Sequence, residues 1–369
     1  MPTRSLLITG GAGFIGANFV RYWCDHHPDD HVVVLDALTY AGNLSNIASV
    51  LGKQCEFVHG SITDRELLDE LLAKHEVDTV VHFAAESHVD RSISGPDAFV
   101  QTNIVGTHTL LGACRNYWLG DERRPHRFHS VSTDEVFGML GSDDPAFTEQ
   151  TKYAPSSPYS ASKAAADHLV LAYQHTYGLD VTISNCSNNY GPYHFPEKLI
   201  PLTIVNLLTG KQVPVYGEGL NIRDWLHVDD HCAAIDAVLD KGKSGETYNV
   251  GAYCEQTNID VVQAICRNLD KAFAADPTLA ARFPEARAAS GEASATSITF
   301  VKDRPGHDFR YAIDARKLSG ELGFNCSVAF DEGIASTVRW YLDNEDWWRG
   351  VMDGSYRDYM QTAYGNLSS

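Results

Sequence analysis

Ser5-Leu6-Leu7-Ile8-Thr9-Gly10-Gly11-Ala12-Gly13-Phe14-Ile15-Gly16 is a short apolar run that breaks at once into glycines and resumes as a helical pattern. Glycines at 10, 13 and 16 let a chain turn tightly, approach a pyrophosphate with its backbone, and pack the following helix on the preceding strand. The helix N-terminus then offers unpaired N–H groups and a partial positive charge to phosphates. A lone glycine triplet is often only a turn. Here the strand before it, the helix after it and an acid at the expected distance agree. That acid is Asp36, twenty residues past Gly16 at the end of a second apolar run. A carboxylate there accepts hydrogen bonds from ribose hydroxyls and repels a 2′-phosphate, which favours NAD over NADP. A turn or cap aspartate is the competing reading, because Leu38-Thr39-Tyr40-Ala41-Gly42-Asn43 follows.

Working outward, strands are expected at 5–9, 31–35, 55–59, 79–83, 127–132 and 181–185, with amphipathic helices near 15–26, 64–75, 97–118 and 160–177. Such alternation predicts an α/β fold: a doubly wound parallel sheet of the Rossmann kind, with helices on both faces. After Asn188 the pattern loosens, and Gly191-Pro192-Tyr193-His194-Phe195-Pro196 reads as loop. Segments 223–239 and 246–250 are expected to return to the first sheet. The Ala-, Ser-, Glu- and Pro-rich stretch 274–297 reads as a mobile helix–loop insertion, as does the charged excursion 119–124. The expected division is a dinucleotide-binding domain from 1–187 plus roughly 223–252, and a smaller, discontinuous C-terminal substrate lobe from 188–222 plus 253–369.

Composition narrows the function. With 369 residues the chain can hold a domain and a lobe. The 29 basic and 48 acidic side chains give a formal charge of -19, which argues against a nucleic-acid partner. No run approaches the ~18 apolar residues of a membrane span. The eight cysteines are scattered without a Cys-x-x-Cys pair, so no metal site is expected and a cytoplasmic chain with reduced thiols is.

Tyr159-Ser160-Ala161-Ser162-Lys163 spaces a phenol and an ammonium four apart, on one helix face and roughly 5–6 Å apart at Cβ. A tyrosine with an ordinary pKa near ~10 is a poor base at neutral pH. A fixed positive charge favours the phenolate, which can then take a proton from an alcohol while hydride leaves for nicotinamide. Ser132-Thr133-Asp134-Glu135-Val136-Phe137-Gly138 ends an expected strand. Ligands of open α/β sheets sit beyond the carboxyl ends of strands, where these side chains fall. Thr133 can hydrogen-bond a reacting hydroxyl, and adjacent Asp134 and Glu135 offer an acid and a base if one is held protonated. Taken alone, Asp-Glu after a strand is usually a helix cap.

These residues resemble the extended short-chain dehydrogenase/reductase family, and within it the nucleotide-sugar 4,6-dehydratases. The resemblance runs over nearly the whole chain. It is carried by Gly10–Gly16, Asp36–Asn43, Ala84–Ser92, Ser132–Gly138, Tyr159–Lys163, Ser187–Tyr193, Pro196–Pro201, Arg223–Trp225 and Arg304–Asp308. Sugar epimerases of the family share the glycine loop and Tyr–Lys pair but typically carry small or neutral residues after the Ser/Thr. The GDP-mannose dehydratases look like Thr-Ser-Glu there, so Asp134-Glu135 points to the branch acting on dTDP-glucose. A 4-epimerase, or a 4,6-dehydratase for another nucleotide sugar, is the alternative.

The resemblance implies a mechanism. Tyr159, with Lys163 and Thr133, takes the C4 hydroxyl proton and NAD the hydride; Glu135 removes the C5 proton while Asp134 protonates the departing C6 hydroxyl; hydride then returns to C6. It further implies cofactor contacts at Gly10, Gly13, Phe14, Ile15, Gly16, Asp36, Ile62, Ala84, Tyr159 and Lys163. A nucleoside-diphosphate-sugar substrate would meet Ser87, Asn188, Glu197, Lys198, Leu199, Pro201, Tyr216, Arg223, Arg304 and His307. Arginine suits a diphosphate because its planar fork donates paired bonds. Two positions depart from the family pattern at the adenosine end: Ser61, where Asp is usual, and Ala37, where a polar residue is. A homodimer is expected, because helices near 98–117 and 160–176 carry small and apolar faces suited to a four-helix contact.

Overall fold

The computed structural model describes residues 3–52, 54–120, 123–303 and 307–352. The chain begins with β1 (Ser5–Thr9), α1 (Phe14–His26), β2 (His31–Asp36), β3 (Cys55–His59), α2 (Arg65–Lys74) and β4 (Thr79–His82). Helical segments α3 (Val89–Ser94), α4 (Pro96–Phe99) and α5 (Thr107–Trp118) follow, with Val100–Gly106 wound as a π-helix before α5. Next come β5 (Arg127–Thr133), a 3-10 turn at Asp134–Phe137, α6 (Pro158–Tyr177) and β6 (Val181–Cys186).

The second half holds β7 (Asn188–Tyr190), α7 (Leu199–Leu208), β8 (Val213–Tyr216), β9 (Ile222–His227), α8 (Val228–Lys241), β10 (Thr247–Val250) and β11 (Glu255–Thr257). It closes with α9 (Asn258–Ala275), α10 (Thr278–Arg282), β12 (Ile298–Val301), α11 (Arg316–Leu322), α12 (Phe330–Asp343) and α13 (Glu345–Val351).

Seven strands form one sheet in the order β10-β6-β5-β4-β1-β2-β3, and every pairing in it is parallel. From β1 the chain winds outward through β2 and β3, then restarts at β4 on the other side. That reversal between β1 and β4 opens a crevice at the carboxyl ends, where doubly wound sheets bind ligands. The strands are continuous apolar runs because helices cover both faces: Leu7, Val33, Val80, Phe128 and Ile183 pack one way, Ile8, Val34 and Val81 the other.

Two expectations need correction. Of the strands expected to rejoin the first sheet, β10 does, on the edge of β6, with Thr247–Val250 paired to Ile183–Cys186. β9 does not: it lies in a separate three-stranded sheet, parallel to β7 and antiparallel to β11. β10 has taken the open edge, and Trp225 of β9 belongs instead to the second core. That core joins α7, α9, α12 and β8 through Ile204, Val215, Ile265, Leu269 and Tyr341.

The stretch 274–297 is packed rather than loose. Leu279, Phe283 and Ala286 are buried in the same core, and Asp270 of α9 accepts hydrogen bonds from the backbone and hydroxyl of Ser294. Of the charged excursion 119–124, residues 121 and 122 lie outside the described residues.

Candidate active site

A cleft of about 620 Å³ opens at the carboxyl ends of the strands, and both cores contribute to its walls. Its floor is the turn after β1. Gly10 has φ +72, and a Cβ there would lie 2.5 Å from the Ala84 nitrogen at the end of neighbouring β4. A Cβ on Gly16 would lie 2.2 Å from the Gly10 carbonyl oxygen. A side chain fits at neither position, so this cradle is built for close backbone approach. Phe14, Ile15, Ile62 and Ala84 line the cleft beside it, as do the departing residues Ala37 and Ser61.

Asp36 ends β2 in the cleft wall. Its carboxylate accepts the Ala12 N–H at 2.9 Å and the Leu38 N–H at 2.8 Å. Burial raises its pKa, opposed by those two donors. The turn aspartate and the ligand-facing aspartate are thus one residue: it fixes the glycine turn and still borders the cleft.

β5 carries the next group outward. Thr133 caps the 3-10 turn, its Oγ1 accepting the Glu135 N–H at 3.3 Å. Asp134 is 2 % exposed, and Thr133 Oγ1 donates to its Oδ1 at 3.4 Å. Its Oδ2 is buried with no hydrogen-bond partner. Burial first, then the charges of Glu135 and Asp224, push the Asp134 carboxyl well above its usual range, against Arg223. Burial thus favours the protonated form of Asp134, while Glu135 beside it is only half-buried.

α6 brings the phenol and ammonium to face this turn. Ser157 caps it in a reciprocal pair with Ser160, Pro158 occupies its first turn, and Gly178 ends it in the left-handed region. Tyr159 is buried and hydrogen-bonded to Thr133. Burial, and next the Glu135 charge, raise its pKa well above the ordinary phenol value. Lys163 donates to the Val131 carbonyl at 2.9 Å. Burial lowers its pKa, and the Asp167 carboxylate one turn on works the other way. Burial thus dominates at Tyr159, and the phenol is protonated in these surroundings.

The far wall comes from the second half of the chain. Asn188 borders the cleft with its buried Oδ1 lacking a hydrogen-bond partner. Lys198 precedes α7 and donates to the Ser87 carbonyl at 3.2 Å; Leu199 lines the wall next to it. Glu197 is 5 % exposed, with Arg91 Nε at 3.4 Å and His88 Nε2 at 3.9 Å. The Arg91 guanidinium lies 3.8 Å over the Tyr40 ring, and Tyr40 also bonds Glu197. Arg223 of β9 donates to the carbonyls of Ile222, Phe309 and Asp308 and sits 4.5 Å over Tyr311. Tyr216 and His307 line the cleft and pack edge to face.

Pro201 is a correction to the expected set. It is buried within α7 and is not among the cleft-lining residues; the helix turns about 100° per residue and presents Leu199, Ile200 and Leu202 there instead. Arg304 lies outside the described residues. Tyr40, Arg91 and Asp167, which residue types and spacing did not single out, stand behind the cleft lining, Tyr40 and Arg91 against Glu197 and Asp167 beside Lys163.

The one trio of possible metal ligands among the described residues is His31, Glu56 and His75, with ligand atoms within 4.8 Å of one another. It sits at the amino ends of β2 and β3, on the edge of the sheet away from the cleft.

A glycine turn at the switch point of a doubly wound sheet, with a Tyr–Lys pair facing the end of β5, defines the class: an extended short-chain dehydrogenase/reductase. A family model described as GDP-mannose 4,6 dehydratase matches residues 7–337. A dTDP-glucose 4,6-dehydratase of Xanthomonas campestris pv. campestris (strain B100) is 57% identical over 355 residues, covering 95% of this chain and 97% of that protein. One from Escherichia coli is 51% identical, covering 95% and 97%. The crystal structure of DesIV, a dTDP-glucose 4,6-dehydratase from Streptomyces venezuelae with NAD and TYD bound, superposes with a TM-score of 0.83 at 46% identity, covering 94% of this chain and 99% of that one. The chain belongs to the dTDP-glucose 4,6-dehydratase family.

Proposed function

We propose that this chain converts dTDP-glucose to dTDP-4-keto-6-deoxyglucose and water, with NAD as a recycled cofactor. The observation that carries this reading is the pair Asp134 and Glu135 on one turn. Asp134 is buried, which pushes its carboxyl well above the usual range, Glu135 is half-buried, and both lie against Tyr159 in the same cleft.

The glycine cradle, Asp36, Ile62 and Ala84 fit the cofactor, since the closest backbone approaches there exclude side chains. NAD, held there, would supply the hydride transfer that oxidises C4 and later reduces C6. Tyr159, hydrogen-bonded to Thr133, is the base at C4: the phenol must first release its own proton, and the phenolate then takes that of the C4 hydroxyl. A ketone at C4 then acidifies the C5 proton, and Glu135 is the base that removes it. Asp134, whose protonated form burial favours, gives its proton to the C6 oxygen, which leaves as water. The acid and base act on different atoms, so neither replaces the other.

The substrate's sugar and diphosphate would lie along Ser87, Asn188, Glu197, Lys198, Leu199 and Tyr216, with Arg223 and His307 toward the nucleotide. Three carbonyls and the Tyr311 ring hold the Arg223 guanidinium rigid, which suits recognition of a planar or charged group. The dinucleotide-binding domain is read as 1–187 plus roughly 223–252, and the substrate lobe as the remainder; β10 in the main sheet supports the end of that second segment, whereas β9 at its start lies in the separate sheet. The enzyme is read as a cytoplasmic homodimer. Among the described residues no helix is long and apolar enough to cross a membrane, no disulfide joins the cysteines, and apolar side chains project from the α3–α5 segment.

Mass spectrometry of the product formed from dTDP-glucose, without added NAD, tests the reaction. Loss of one water is expected. An unchanged mass would mean epimerisation or no reaction, and would overturn the reading.

A further inference from the structure

The peptide of Ala12 lies in the middle of the glycine turn, and it is held from both sides. Its N–H goes to Asp36, and its carbonyl accepts from the Asn43 N–H at 3.0 Å and from Asn46 Nδ2 at 2.8 Å. Asn46 is 1 % exposed and follows the loop after β2. Its other amide atom, Oδ1, accepts the indole N–H of Trp347 at 2.7 Å. An indole can only donate and a peptide carbonyl can only accept, so the Asn46 amide has a single orientation that satisfies both.

Trp347 stands on α13, 301 residues away in sequence, in the second half of the molecule. Its ring is set edge-on against Trp340 at 5.0 Å and Tyr193 at 5.7 Å, while the next residue, Trp348, is anchored in the second core. A second contact runs beside the first. His194 stacks on Phe14 at 4.0 Å and 8°, and Asn18 of α1 donates to the carbonyls of Phe14 and Pro192 at 2.9 Å. The lobe that lines the substrate side of the cleft therefore grips the turn that lines the cofactor side.

We infer that Trp347, acting through Asn46, is a positioning residue that fixes the Ala12 peptide and so retains NAD through the catalytic cycle. This rests on the proposed reading of NAD as a cofactor reduced at one carbon and reoxidised at another. Such a cofactor has to stay seated while substrate arrives and product leaves. A turn pinned only by its own strand and helix rests on local contacts alone; tied to α13, it is also braced from the second core.

The experiment is calorimetric titration of NAD into the full chain stripped of nucleotide, together with thermal melting of each protein. Trp347→Phe keeps a ring against Trp340 and Tyr193 but removes the N–H. It is expected to raise the Kd for NAD about tenfold, the scale of a buried acceptor left unpaired, with the melting midpoint held. Asn46→Ala, in a different element, is expected to weaken NAD at least as much. The double variant should be no weaker than Asn46→Ala alone, because Trp347 acts through Asn46. Wild-type affinity in Trp347→Phe, a lowered midpoint without weaker NAD, or additive losses in the double variant would each overturn the clasp alone. A wild-type chain that takes no NAD would overturn the function reading and the clasp with it.

Discussion

Asp134 and Glu135 are neighbours in sequence with opposite surroundings, and their roles follow from that difference. Asp134 → Asn keeps the shape and loses the proton, so water loss is expected to fall about 10²–10⁴-fold, the usual contribution of a positioned acid. A rapid-quench assay of the 4-keto-6-deoxy product would show it, and wild-type turnover would refute the assignment. Glu135 → Gln removes the base at C5. In deuterated water the wild type should place deuterium at C5 and the variant should not, with turnover falling by a similar factor. Much of this turn was legible in advance, because Thr133, Asp134, Glu135, Tyr159 and Lys163 owe their positions to one strand end and one helical turn. What local spacing does not carry is the surroundings. The raised pKa of Asp134 comes from burial first, with Asp224 of β9 adding to it and Arg223 opposing it, and the setting of Glu197 depends on Tyr40, His88 and Arg91, all distant in sequence. Resemblance placed Pro201 in the cleft, but the phase of α7 turns it away.

Among the elements, β5 is the one on which the site is mounted, and its interior carries a titratable group of its own. His129 is fully buried, with Nδ1 2.9 Å from Thr182 Oγ1 and Nε2 3.0 Å from Ser184 Oγ on β6. Burial lowers its pKa from 6.5 to about 3. Between those values the unfolded chain binds a proton there and the folded chain does not, so stability present above about 6.5 is lost as pH falls toward about 3. In His129 → Gln nothing titrates at this position. The stability gap between wild type and variant should therefore shift against the wild type by about 1.4 kcal/mol per pH unit below about 6.5. Urea midpoints at a series of pH values measure that gap, and a constant gap would refute it. The elements of the main sheet were readable because buried parallel strands are apolar runs alternating with helices. β9 was readable as a strand but not as a member of its sheet. Its run, Arg223-Asp224-Trp225-Leu226, mixes buried polar and apolar residues, and only the occupation of the β6 edge by β10 decides where it pairs. The stretch 274–297 misled for a related reason: an Ala- and Ser-rich composition looks like a loop until Leu279 and Phe283 find a core.

For the whole molecule, the proposed homodimer needs a surface on which two copies would meet. Ile93, Val100 and Val105 are 60%, 45% and 39% exposed along the segment from α3 to the π-helical turn before α5. Exposed apolar side chains along one short segment of a chain so rich in charge mark a contact surface. α5 and α6 pack together beside this segment, with Tyr173 bonded to His108, so the pair can face its symmetry mate as a four-helix contact. Each copy must hide about 800 Å² for such a dimer to be stable. The formal charge of -19 per chain opposes the association. Long-range repulsion is screened beyond about 8 Å at physiological salt, whereas apolar burial is not weakened by it. Sedimentation is therefore expected to give twice the 40.6 kDa chain mass, with a dissociation constant that tightens as salt is raised. Val100 → Glu with Val105 → Glu should return the chain to monomers, since both put an unpaired charge into the buried face. A wild type that sediments as a monomer, or a double variant that stays dimeric, would show that this face is not the interface; a dimer that loosens with salt would show that charge pairing, not apolar burial, holds it.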